Sequence, residues 1–266
     1  MIKTFSIFEG IFLNDTLLKY LHNQLDLHYI YLIIISFIGL FLLSTLFLWS
    51  PKTSINYDFQ KTLLLSVFLV ICLLGMLAAV YPTKCVHIFN FKKDFKIHRP
   101  HSRVKTESHN NIVKYEGHHP DCGKFGSHVF IIYGKKYCAG CTGLFLGGII
   151  AVIGTLIYYF GYYSGYLRIF NGQVVFWIGF FVVLFSLIQM IFINLNNNVI
   201  KFSSNLLLVL GSFLILIGID TIRGNISLEI YFLVLVLFWI LTRIRISQNN
   251  HNTTCLECGQ ASACYH

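Results

Sequence analysis

The chain has 266 residues, of which 56% are hydrophobic, 16% aromatic and only 12% charged, with a net charge of +9. That composition excludes an ordinary soluble domain, in which about a quarter of residues are charged. The apolar excess is spread over several runs, so it is not the single short core of a secretory leader.

The first segment, residues 1–28, lacks a basic start, a short apolar core and a small-residue cleavage site in that order. Ile2, Phe5, Phe8 and Phe12, then Leu17, Leu18, Leu21 and Leu25, recur at helical spacing. This pattern predicts an amphipathic lead-in lying at a membrane interface.

A bilayer core takes about twenty mostly apolar residues per helix. Six runs meet that length: Tyr29–Trp49, Leu63–Tyr81, Leu144–Tyr163, Val174–Ile193, Phe202–Ile219 and Ile226–Leu241. The last two are shorter or interrupted, by Asn205 and Glu229. The predicted fold is all-α, a polytopic transmembrane bundle of about six spans. Spans one and two occupy residues 29–81, a basic loop 82–142, spans three to six 143–244, and a cysteine-rich tail 245–266.

The loop from Pro82 to Thr142 carries eleven Lys/Arg against four acids, so most of the positive surplus sits between two helices. A basic segment so placed is what the positive-inside rule produces. It is read as a topology signal and a contact for anionic lipid headgroups, not for nucleic acid. With the loop cytoplasmic, both termini are cytoplasmic, and only Lys52, Lys61, Arg168 and Arg223 fall outside. Four spans separate loop from tail, so both cysteine clusters face one compartment. Residues 89–114 and 249–254, polar and aperiodic, read as connectors.

The chemistry lies in cysteine and histidine. Cys138 and Cys141 have the spacing of a metal knuckle, with Gly140 and Gly143 giving a permissive backbone and Leu144 opening a span. The pair therefore sits at a helix N-terminus. Cys122 and one of His118, His119 or His128 are the nearest source of further ligands. The tail offers a second set, Cys255, Cys258, Cys264 and His266. Zinc, which takes thiolate and imidazole in a closed tetrahedron, is the expected ion. One site shared by the two Cys-x-x-Cys pairs and two separate sites both fit the spacing. A zinc element of this kind would be structural, a cap too small to hold itself together otherwise.

Two enzymatic readings stand beside it. One is a membrane metalloenzyme with an open zinc position; the other is a quinone-linked thiol oxidoreductase using Cys138 and Cys141. An iron–sulfur cluster is a further occupant of such thiolates. Cys72, mid-span, reads as a small core residue, and Cys85 has no partner at ligand spacing. Asp220 and Arg223, one turn apart, read as an interfacial ion pair. Glu229, near a helix start, reads as snorkelling to the surface or meeting the dipole. Gln189 reads as bonding a neighbouring helix, and Gly143, Gly147 and Ala151 as a small-residue packing face.

The stretch from Cys122 through His128, Val129-Phe130 and Gly134 to Cys138-Ala139-Gly140-Cys141-Thr142-Gly143-Leu144 and Gly147 resembles a group of uncharacterised prokaryotic multi-pass membrane proteins. Their hallmark is a cysteine or histidine, an apolar-aromatic pair, a glycine, and Cys-Ala-Arg-Cys-Thr-Gly running into a helix. Gly140 stands here where that motif has arginine. The resemblance implies a membrane protein with a cysteine knuckle and implies no reaction.

Overall fold

The computed structural model describes residues 27–49, 51, 57–80, 115–116, 119–120, 126, 129–132, 135–163, 171–192, 197–222 and 224–257. Residues 1–26 of the amphipathic lead-in and the connector 89–114 lie outside them. Among the described residues, α1 (Leu27–Trp49) and α2 (Tyr57–Val80) are followed by two hairpins. These are β1 (Tyr115–Glu116) with β2 (His119–Pro120), and β3 (Val129–Ile132) with β4 (Lys135–Cys138). Then come α3 (Ala139–Tyr163), α4 (Gly172–Phe192), α5 (Asn198–Ile222) and α6 (Ile226–Glu257).

All six helices are long and apolar enough to cross a membrane, their spanning stretches running from 19 to 25 residues. At 1.5 Å per residue those stretches measure about 29–38 Å, matching a hydrocarbon core of about 30 Å. The outer surface is apolar too: Ile38 and Phe41 on α1, Leu74 on α2, Phe160 on α3, Phe181 on α4 and Val234 on α6 all point outward. Leucine or phenylalanine on both faces of a helix is the pattern of a span with lipid on one side and protein on the other. The chain is a multi-pass helical membrane protein.

α5 is the centre of the bundle. It packs along α4 on one side and α3 on the other, α2 packs on α3, and α1 packs on α6. Close approach depends on residues without side chains. A Cβ at Gly143 would collide with the Phe202 carbonyl, and one at Gly179 would lie 2.7 Å from the Ile215 amide nitrogen. Gly143, Gly147 and the fully buried Ala151 thus form the α3 face that meets α5.

Helices α4, α5 and α6 each begin behind an asparagine. Asn171, Asn197 and Asn225 accept from the amides of Gln173, Val199 and Ser227 at 3.1, 2.9 and 3.0 Å. Each side chain satisfies an amide that the first helical turn leaves without a partner. The α1–α6 pair is tied by side chains instead: Ser36 Oγ lies 2.9 Å from Thr242 Oγ1, and Tyr231 donates to the Gly39 carbonyl at 3.0 Å.

Three expectations change. Asn205 and Glu229 do not interrupt spans; both are buried inside continuous helices. The connector 249–254 is helical, because α6 runs 32 residues and ends at Glu257. Lys61 is not an outer loop charge but a buried residue of α2.

Candidate functional site

The β-branched and aromatic run Val129-Phe130-Ile131-Ile132 pairs antiparallel with Lys135–Cys138 to make the second hairpin. Its register pairs Val129 with Cys138, so the residue that follows His128 in the chain stands opposite the first cysteine of the pair. The hairpin is fixed to the start of α5. Asn198 Nδ2 donates to the Val129 carbonyl at 2.7 Å and to that of Gly126 at 3.3 Å, and the Phe130 and Phe202 rings meet edge to face at 5.9 Å.

Cys138 closes β4 and Cys141 lies in the first turn of α3, both partly exposed as thiols. The turn between them is held by Thr142 Oγ1, which donates to the Cys138 carbonyl at 2.8 Å. The two side chains lie within hydrogen-bonding reach of one another. Two cationic groups face them, the Arg243 guanidinium beside Cys141 and Lys201 beside Cys138.

Arg243 comes from α6 and is positioned by both neighbouring helices. Its Nε donates to Asn205 Oδ1 on α5, and its Nη2 reaches the Gly140 carbonyl at 3.3 Å. Asn205 in turn donates to the Lys201 carbonyl at 2.7 Å. A Cβ at Gly140 would lie 3.0 Å from Asn205 Nδ2 and 3.5 Å from Arg243 Nη2. The space beside position 140 is therefore taken by a guanidinium from another helix.

Of the sequence-predicted ligands, Cys138 and Cys141 come together. His119 lies in β2, in a separate two-stranded hairpin, and Cys255 lies in the last turn of α6. Cys122, His118, His128, Cys258, Cys264 and His266 lie outside the described residues. Among the described residues, no three of His, Cys, Asp and Glu gather as a metal-ligand group. Cys255 follows Arg243 by twelve helical residues, an axial rise of about 18 Å along α6. Cys72 is buried, as expected of a core residue.

A second polar cluster lies at the opposite end of the bundle. Lys61 Nζ on α2 is 2.9 Å from Asp220 Oδ2 on α5, and neither side chain has any exposed surface. Tyr158 on α3 donates to the same carboxylate oxygen at 2.5 Å and accepts from Lys61 at 3.2 Å, while Thr221 Oγ1 lies 3.1 Å away. The ammonium also stands 4.3 Å from the centre of the Tyr158 ring. Glu229, in the first turns of α6 and 2% exposed, feels the charges of both Asp220 and Lys61. Asp220 pairs with Lys61, and the burial of Glu229 corrects the snorkelling reading. Arg223 lies outside the described residues. Gln189 is corrected as well, since its Oε1 is buried with no hydrogen-bond partner among the described residues.

Between the two clusters, α2, α3, α5 and α6 enclose a narrow cavity of about 40 Å³ bordered by Phe68, Cys72, Gly148, Ser212, Trp239 and Arg243. A wider, open groove lies on α4 alone, against Asn171, Trp177 and Phe181. Comparison of the chain with protein-family models, with curated proteins and with solved structures returns no match.

Proposed function

We propose that this multi-pass membrane protein holds a zinc ion at the cytoplasmic end of α3, with Cys138 and Cys141 as two of its ligands and a structural role for the metal. The observation that carries the reading is the pair itself: two thiols within reach of one another, set by a hairpin anchored on one side and a helix start on the other. Zinc binds thiolates, and the charges of Arg243 and Lys201 offset the negative charge that two thiolates bring to the membrane edge. Two further ligands complete a tetrahedron. Cys122 and His128 are the nearest in sequence, and the pairing of Val129 with Cys138 supports His128 in particular. The similarity to membrane proteins carrying Cys-Ala-Arg-Cys-Thr-Gly supports the same element. The tail set, Cys255, Cys258, Cys264 and His266, is assigned to a second site; the placement of Cys255 on α6, twelve residues beyond Arg243, supports that division.

Elemental analysis of the detergent-purified chain tests this. The expected content is about one or two zinc ions per chain, reduced by one in Cys138→Ser/Cys141→Ser. Metal-free protein with a Cys138–Cys141 disulfide overturns the zinc reading and assigns dithiol–disulfide chemistry to the pair instead. Orientation is tested separately: with zinc stripped by a chelator, an impermeant maleimide applied to intact cells should leave Cys138 and Cys141 unlabelled, whereas labelling from outside would reverse the topology.

A further inference from the structure

We propose that the cleft between α2 and α6 holds an acyl chain of an anionic phospholipid from the leaflet at the Cys138/Cys141 end, with the phosphate group against Arg243. The cleft follows from how the helices pair. α6 packs chiefly on α1, and α2 on α3, so the seam between α2 and α6 closes loosely. Along it runs the narrow cavity of about 40 Å³, with Phe68, Cys72 and Gly75 on one side and Val236, Trp239 and Arg243 on the other.

Its depth and direction fit a chain. Gly75 and Arg243 lie five and four residues inside the ends of their spanning stretches, about 6–8 Å from the membrane edge. Phe68 and Val236 lie twelve and eleven residues inside, about 16–18 Å deep. The cavity therefore runs along the membrane normal, as an acyl chain does. Gly75 makes its mouth: an added Cβ there meets nothing within 4 Å, and Gly75, Ile71 and Ile240 at the rim are only half-buried.

Size and lining exclude other occupants. A planar ring needs more room, since a cavity of about 150 Å³ is what takes up benzene. Water needs two to four polar partners, whereas the Ser212 hydroxyl and the Trp239 indole already donate elsewhere, to the Leu208 and Ser36 carbonyls at 2.8 and 3.4 Å. A polymethylene chain is slim enough, and its remaining length lies along the half-buried rim.

Polarity matches at the shallow end. The Arg243 Nε and Nη2 bond the neutral Asn205 carboxamide and Gly140 carbonyl, contacts that leave the positive charge in place. A divalent ion bound by two thiolates is neutral, so zinc at Cys138 and Cys141 does not consume that charge either. A guanidinium suits phosphate oxygens, and basic pockets between spans take up anionic headgroups.

Trp239, 1% exposed and out of reach of lipid on the outer surface, is a built-in reporter. The full chain carrying Trp49→Phe and Trp177→Phe keeps it as the sole tryptophan. In phosphatidylcholine nanodiscs, phosphatidylglycerol with brominated acyl chains should quench its fluorescence at about a fivefold lower mole fraction than brominated phosphatidylcholine, the worth of one cationic contact. Gly75→Leu, which plugs the mouth, should abolish quenching by both lipids, and Arg243→Gln should make the two lipids equal. Should Arg243→Gln fail to fold, the lipid comparison and Gly75→Leu still decide. Four results overturn the proposal: no quenching; equal quenching by the two lipids before Arg243 is changed; quenching undiminished in Gly75→Leu; or a preference for phosphatidylglycerol that survives Arg243→Gln, which assigns the headgroup to the basic loop instead.

Discussion

Lys61 and Asp220, 159 positions apart in the chain, meet at 2.9 Å with both side chains wholly enclosed. The pair joins α2 to α5 across α3, whose Tyr158 hydroxyl bridges the two groups. Burial of such a pair repays its desolvation only when both partners are present.

Removing one partner should therefore cost more than removing both. Asp220→Asn, which strands the ammonium, is expected to destabilise the bundle by about 3–5 kcal/mol. Lys61→Met/Asp220→Leu should cost much less than the sum of the single changes. Thermal unfolding of the four proteins in one detergent gives the coupling; additive losses would mean that the pair contributes no interaction of its own.

Gly143→Ala places a methyl group against the Phe202 carbonyl, where only backbone movement makes room. Overpacking of this kind costs about 1–3 kcal/mol. Gly75→Ala, where an added methyl group meets nothing within 4 Å, should be neutral or slightly stabilising. A melting temperature that falls equally for both would disprove the close contact of α3 with α5.

Arg243→Met removes the group that links α6 to Asn205 and to the Gly140 carbonyl. Cys138 and Cys141 in the metal-free protein should then react at a different rate with alkylating reagents, and Cys72, which borders the same narrow cavity as Arg243, is followed alongside them. Arg243→Lys should fail to restore the wild-type rate, because a single ammonium cannot reproduce the two-pronged contact of a guanidinium. Mass spectrometry after timed alkylation measures all three sites together.

Cys255→Ser/Cys258→Ser should leave one zinc ion bound at the Cys138/Cys141 end, because α6 extends twelve residues beyond Arg243 before it reaches Cys255. Zinc content falling to zero in this variant would show that the two cysteine pairs share a single ion.

The six spans were legible because length and apolarity alone define a helix that crosses a bilayer. The Cys138/Cys141 pair was legible for a similar reason: its geometry is local, set by four consecutive residues and the helix that follows. What surrounds the pair was not. Arg243 lies 103 positions from Gly140, and no feature of either segment announces that α6 would bring them together. Lys61 was misplaced because a lysine near the start of an apolar run has the same local pattern whether it ends in water or faces a carboxylate on another helix. The helical course of residues 249–254 was hidden by asparagine and threonine, poor helix formers that here extend a helix already nucleated in α6.

The pairing of the first helix with the last has a biosynthetic consequence. Ser36 and Thr242, which bond across α1 and α6, are 206 residues apart. At roughly 5–20 residues per second of translation, α1 waits on the order of 10–40 s in the membrane before its mate emerges from the ribosome. During that interval the hydroxyl of Ser36 has only its own helix to bond, through the Leu32 carbonyl at 2.8 Å, and the face of α1 that α6 will cover stays open to the surrounding lipid.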